Sequence, residues 1–221
     1  MRPTRLFATF LLTASALLAA ETGVVPERAA WVVEISVAPS APDTPSQGAP
    51  RQPVRIESVK AGTLKRDIIH FSDGTREEYW FAKGFLFSLN PDGQSASVLE
   101  YKSDRVAENE SGASPGFPGL WWIKGQSPAE VVERDGRRLL HFMRESIPVG
   151  TPLMHAVTEV WIDEATGKPV EASTPVGSLR YTHQPPPAAD LAMPTVFRDA
   201  AEKAFRRAAR REELRGALQK Q

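Results

Sequence analysis

The stretch Met154–Ala172, MHAVTEVWIDEATGKPVEA, decides the fold of this 221-residue chain. Its first ten residues alternate between two sets, which puts Val160 and Ile162 on one side and Trp161 on the other. Successive side chains of a strand point to opposite faces, and alternation rich in β-branched and aromatic residues is typical of strands. Met154 to Asp163 is therefore predicted to be a strand.

The residues that follow predict a hairpin turn. Asp163 can accept hydrogen bonds from the backbone N–H groups just after it, and Gly167 tolerates the positive φ that closes such a loop. Pro169 has no N–H to donate to a ladder. The returning strand is therefore predicted to begin on an edge or at a bulge.

Short turn signals divide most of the chain in the same way. They are Ala61-Gly62, Asp73-Gly74, Lys83-Gly84, Asn90–Gly93 and Asp135-Gly136. Turns this closely spaced predict an antiparallel sheet of about a dozen strands rather than βαβ units. Asp73-Gly74 is the strongest hairpin signal, and a two-residue loop there would pair Phe71 with Arg76. That register would place Ile68 on one face with Tyr79.

The N-terminus predicts an export signal. Residues 1–20 begin with Arg2 and Arg5, continue with an apolar run and end with Ala19-Ala20, which is typical of a cleaved signal peptide. The alternative is an uncleaved N-terminal anchor. After cleavage the protein is expected to be periplasmic or secreted and not an integral membrane protein.

The C-terminus predicts a helix. Thr195 is predicted to be its N-cap, and a stripe of small side chains along its first half could lie close against a sheet. The stripe consists of Phe197, Ala200, Ala201, Ala204 and Ala208. The second half is richer in arginine and is expected to be solvated, with attraction to an anionic membrane surface as the alternative.

These signals give a predicted domain organisation. A signal peptide (1–20) and an N-terminal linker (21–29) precede an antiparallel β domain (30–194), and a basic helix (195–221) follows it. Inside the β domain, a Pro-rich loop (38–53) and a polar loop (102–119) interrupt the strands.

Composition excludes several classes of function. Lys+Arg and Asp+Glu both number 27, so there is no basic excess of the kind that nucleic-acid binding needs. The chain has no cysteine, so it has no disulfide, no thiol chemistry and no lipid-modified cysteine.

Few residues suggest catalysis. The four histidines, His70, His141, His155 and His183, show no short two-ligand spacing, so no metal site is predicted. Gly125–Ala129 lacks the second glycine of a nucleophile elbow. There is no phosphate-binding glycine loop or dinucleotide fingerprint, so no cofactor is predicted and the protein is expected not to be an enzyme.

The hairpin predicted for Met154–Ala172 resembles one that recurs in periplasmic lipoprotein-carrier-like proteins. The shared pattern is Val160-Trp161-Ile162-Asp163, then Thr166-Gly167, then Pro169. The resemblance implies a curved antiparallel sheet, a half-barrel, whose concave apolar face holds acyl chains or a partner under a helical lid. The chain departs from that pattern because its convincing helix is C-terminal. The predicted fold class is mainly β (α+β), a curved antiparallel sheet or half-barrel with one C-terminal α-helix.

The sequence thus favours an exported, non-enzymatic protein of the cell envelope that binds a lipid, an acyl chain or an apolar envelope partner in its concavity. The predicted contact residues are Trp80, Phe85, Trp121, Trp122 and Trp161. One alternative is an envelope scaffold with a filled core and no ligand. A third reading is a hydrolase, which would need a cleft with a titratable pair of shifted pKa.

Overall fold

The structure is a computed structural model that describes residues 22–37, 51–102, 112–145 and 153–219. The predicted signal peptide and most of the predicted Pro-rich loop lie outside the described residues.

Eleven strands are formed by the described residues. They are β1 (Arg28–Val37), β2 (Pro53–Ala61), β3 (Leu64–Phe71), β4 (Arg76–Ala82), β5 (Phe85–Leu89), β6 (Ala96–Glu100), β7 (Glu130–Arg134), β8 (Arg137–Met143), β9 (Glu159–Asp163), β10 (Pro169–Thr174) and β11 (Gly177–Gln184). All pairings are antiparallel, in the order β6-β5-β4-β3-β2-β1-β11-β10-β9-β8-β7. The sheet is open, with β6 and β7 at its two edges.

Each face of the sheet carries its own apolar cluster, because alternate side chains of a strand point to opposite faces. The inner face collects residues from nine strands, β1 to β5 and β8 to β11, around one short segment at residues 113–123. A sheet this wide can pack around so short a segment only if it curves toward it. The predicted curved, half-barrel-like antiparallel sheet is therefore confirmed.

One α-helix, α1 (Thr195–Leu218), lies in the described part of the chain. It packs on the outer face, where Phe197, Ala201 and Ala204 are buried against a cluster that includes Trp80 and Phe87. The predicted docking of its first half through small side chains is confirmed. The residue at the N-cap position is Pro194 rather than Thr195, and no side chain caps the helix.

The hairpin at Asp73-Gly74 differs from its prediction by one residue. Gly74 N donates to Phe71 O at 3.0 Å and Phe71 N to Thr75 O at 3.0 Å, so three residues form the loop. Gly74 alone in that loop has a positive φ, of 82°. His70 consequently pairs with Arg76, and Ile68 lies on the face opposite Tyr79.

The hairpin in Met154–Ala172 has the predicted turn. Thr166 N donates to Asp163 Oδ1 at 2.9 Å, Gly167 has φ 66°, and the register shifts just after Pro169. Its first strand is shorter than predicted and starts at Glu159, because residues Leu153–Ala156 form a 3-10 helix.

Residues 112–119 are the end of the predicted polar loop (102–119), and they form no strand or helix. Ala113, Ser114 and Phe117 are buried inside the molecule, at 2% exposure or less. Phe117 and the apolar residues that follow it pack into the inner apolar cluster, and this burial draws the glycines and serines of the segment inside with them. Strand β1 starts at Arg28, within the predicted linker (21–29), and β2 starts at Pro53, the last residue of the predicted Pro-rich loop (38–53).

Candidate ligand-binding face

The inner face is apolar and aromatic. The side chains of Val33, Ile56, Ile69 and Leu179 are fully buried there. Such a surface would be a ligand site if it were open to solvent, but in this structure a segment of the chain covers it.

That segment is Gly112–Lys124, here called the plug. It consists of successive turns, in which Leu120 N donates to Phe117 O at 3.2 Å and Ile123 N to Leu120 O at 3.2 Å. In the described part of the chain no strand runs through it. Trp121 and Trp122, which the sequence suggested as neighbours on a strand, are in these turns.

A buried polar cluster, here called the latch, fastens the start of the plug to β2 and β3. Lys65 and Asp67 form an ion pair whose side chains are 3% and 0% exposed. Asp67 also accepts from the Ser58 hydroxyl at 2.7 Å and from Ser114 N at 3.1 Å, and Lys65 donates to Ser114 O. The ammonium lies 5.1 Å from the Trp31 ring centroid. Sequence reasoning missed the latch, because Ser114 is far in the chain from Lys65 and Asp67.

An aromatic contact holds the middle of the plug. The Phe117 ring lies 4.8 Å from that of Trp31, 6.3 Å from that of Tyr181 and 5.9 Å from that of His183. The Tyr181 hydroxyl donates to Pro118 O at 2.5 Å. The plug is thus anchored to β1 and β11 by Phe117 and Pro118, in addition to the latch on β3.

The end of the plug borders a cation and a small cavity. The Arg144 guanidinium lies 5.3 Å from the Trp121 ring and 5.0 Å from the Trp122 ring. Between the plug and residues Thr22–Val25 lies a cavity of about 200 Å³. That is below the roughly 300–1,000 Å³ typical of small-molecule sites. An acyl chain would need room that the plug now occupies.

Two buried indole groups on the inner face are donors. The ring N–H groups of Trp31 and Trp122 have no acceptor among the described residues. A buried donor without a partner is costly, so the Trp31 N–H on β1 could bind an acceptor such as a carbonyl oxygen, whereas Trp122 belongs to the plug itself.

The five residues predicted to contact a ligand lie in three places. Trp122 is buried on the inner face and Trp121 packs against the same cluster. Trp80 and Phe85 lie on the outer face under α1. Trp161 is also on the outer face, where its ring stacks on His141 at 4.6 Å. The structure therefore brings Trp121 and Trp122 together and separates them from the other three.

The groups considered for metal binding and hydrolysis stay apart. No set of three or more His, Cys, Asp or Glu residues among those described is placed to hold a metal ion. Gly125–Ala129 leads into strand β7 rather than a helix, so Ser127 lacks the strand-to-helix turn of a nucleophile elbow. Among the described helices, none is long and apolar enough to cross a membrane.

His183 gives the plug region a pH dependence. Burial lowers the pKa of His183 below its ordinary 6.5, against the opposing effect of its 2.7 Å contact with Pro169 O. The unfolded chain therefore binds a proton more readily than the folded one, and the free energy of unfolding falls as the pH drops below about 6.5. Urea titrations at pH 7.5 and 5 should show this loss, and it should be smaller in His183→Gln. An equal loss in both proteins would contradict the assignment.

Comparison with known proteins concerns the fold. No protein-family model matches the chain, and no curated protein sequence matches it. Among solved structures it is similar to LprF from Mycobacterium bovis, at 10% identity and a TM-score of 0.36, over 79% of this chain and 90% of that one. It is also similar to the LolA superfamily protein NE2245 from Nitrosomonas europaea, at 10% identity and a TM-score of 0.35, over 77% of this chain and 90% of that one. Both similarities are weak likenesses of the fold.

Proposed function

We propose that this chain is an exported, non-enzymatic binding protein of the cell envelope, which holds an acyl chain on the inner face of its sheet after the plug moves aside. The observation that carries the proposal is that an apolar, aromatic face is covered by a segment fastened through side chains. Moving that segment would break the latch, the Phe117 contacts and the hydrogen bond from Tyr181 to Pro118, and no strand of the described sheet lies in the segment.

The chemistry beneath the plug suits an acyl group. Trp31 on β1 supplies a buried indole donor, which an ester or amide carbonyl could satisfy. The surrounding side chains are aliphatic and aromatic, and they would replace the contacts that a chain of methylene groups loses on leaving water.

A second candidate function is an envelope scaffold with a filled core and no ligand. The specific observation that favours it is the packing of Phe117, which is 2% exposed and touches three aromatic rings. Under this alternative the plug is a permanent part of the core.

Thiol labelling distinguishes these two functions, because the chain has no cysteine of its own. Ala113→Cys places a thiol in the plug at a fully buried position, and Ala201→Cys places one under α1 at 4% exposure. The probe is monolaurin, a neutral lipid with a single acyl chain. We expect monolaurin to raise the labelling rate at position 113 at least about tenfold and to leave the rate at position 201 unchanged.

The controls give the other outcomes distinct meanings. Equal acceleration at both positions would indicate global unfolding by the lipid and contradict the proposal. No acceleration at position 113, together with an unchanged apo mass in native mass spectrometry, would favour the scaffold. Purification without detergent from the compartment of export would also show whether a lipid accompanies the chain.

A further inference from the structure

A second cavity lies on the outer face, between α1 and the edge strand β6. Its volume is about 500 Å³, within the rough range of 300–1,000 Å³ for small-molecule sites. Phe85, Ala96 and Val98 form an apolar floor, and the wall includes Val196 and Ala200 of α1. The described residues that line it include none from the plug, so it is separate from the inner face.

This cavity is here called the groove, and the wall that α1 contributes to it is basic. Lys203, Arg207 and Arg211 line it. Arg211 forms an ion pair with Glu100, also in the lining. Among the described residues no ion pair involves Lys203 or Arg207, and Asp199 is the remaining acidic side chain of the lining. The groove therefore combines an apolar floor with a net positive wall.

The spacing of residues along α1 extends this surface. Residues three, four or seven apart lie on one side of a helix. Val196, Ala200, Lys203, Arg207, Leu214 and Leu218 follow that spacing. Leu214 and Leu218 are 58% and 73% exposed. Besides Asp199, this side of the helix carries apolar and basic residues, while Glu202, Glu212 and Glu213 belong to its other sides.

We propose that the groove binds an anionic amphiphile with one acyl chain. Its headgroup contacts Lys203 and Arg207, and its acyl chain lies over Phe85, Ala96 and Val98. Charge complementarity fixes the sign of the headgroup, and the apolar floor requires an acyl chain rather than a small anion. A fatty-acid carboxylate and a lysophospholipid phosphate share this chemistry.

Titration calorimetry with laurate, below the concentration at which it forms micelles, tests the headgroup contacts. Arg207→Glu should weaken laurate binding at least about tenfold, because a charged hydrogen bond is replaced by repulsion. Arg206→Glu is the matched control, since it changes the net charge equally on the same helix but does not line the groove. Its affinity should stay within about twofold of the original chain, because exposed charges at a distance are screened.

The apolar floor is tested with a second pair of variants. Val98 and Val131 are 42% and 46% exposed and lie on the two edge strands, so Val98→Asp and Val131→Asp perturb folding to a similar degree. Val98→Asp should weaken laurate binding at least about tenfold, and Val131→Asp should not. Far-ultraviolet circular dichroism of each variant shows whether the fold is retained.

Further probes separate the sources and the two sites. Lauroyl lysophosphatidic acid should bind like laurate, inorganic phosphate should not bind, and monolaurin should bind the groove more weakly than laurate. Binding of vesicles that contain anionic phospholipid without binding of monomeric laurate would overturn the proposal in favour of a membrane surface. An equal effect of Arg206→Glu and Arg207→Glu, or no effect of Val98→Asp, would also overturn it. The rate of thiol labelling of Ala113→Cys in the presence of monolaurin reports on the inner face independently.

Discussion

Asp67→Ala should lower the free energy of unfolding by roughly 3–5 kcal/mol, because it removes the carboxylate that forms an ion pair with the buried ammonium of Lys65. The Lys65 side chain is 3% exposed, so solvent cannot replace the lost carboxylate. Ser58 and Ser114 would lose an acceptor as well. Urea unfolding followed by tryptophan fluorescence measures the change. Globular proteins of this size are stable by roughly 5–15 kcal/mol, so the loss is a large fraction of the total.

The double variant Lys65→Met, Asp67→Leu provides the control for this prediction. Removing both charges avoids the buried ion, and apolar replacements of buried ion pairs are often close to neutral. Part of the loss should remain, since the Ser114 backbone groups then lack partners. If the single variant were no less stable than the double one, the latch would not be the buried ion pair described here.

Phe117→Ala should cost roughly 3–5 kcal/mol of unfolding free energy, the usual range for removing a buried phenylalanine. Phe87→Ala is the matched control, because Phe87 is also fully buried but belongs to the outer face. Both variants should lose similar stability in urea. If the plug moves as proposed, only Phe117→Ala should also raise the labelling rate of Ala113→Cys under conditions where the chain stays folded. Equal labelling in the two variants would contradict independent movement of the plug.

Turn chemistry was the most readable part of the sequence. Lys83-Gly84 and Asp135-Gly136 both have two residues of positive φ and close two-residue hairpins, and the second is one of the dipeptides that favour such a turn. At Asp73-Gly74 the Asp73 carboxylate accepts from Thr75 N at 2.9 Å. With that local bond the loop has three residues instead of the predicted two, and the pairing of β3 with β4 is shifted by one residue. A dipeptide signal therefore predicts that a hairpin exists better than it predicts which residues pair.

The plug, the latch and the groove could not be predicted from the sequence, because they depend on contacts between residues distant in the chain. Nothing near Ser114 in the sequence indicates a buried ion pair some fifty residues earlier, at Lys65 and Asp67. The helix stripe predicted docking against a sheet but not which face it would cover. Trp80 and Phe85 were consequently predicted as concave contacts, although α1 packs over them on the other side.

The strand order has a consequence for how the chain folds. Among the described strands, nine of the ten pairings join neighbours in sequence, and the exception joins β1 to β11. The β1–β11 pairing brings Ala30 next to Gln184. The entropy cost of closing a very long loop is therefore concentrated in the formation of this one pairing. Two meanders, β1–β6 and β7–β11, can each form from local contacts beforehand. The plug joins them as well, since it contacts β3 in one meander and β11 in the other. The segment that covers the inner face therefore also connects the two meanders.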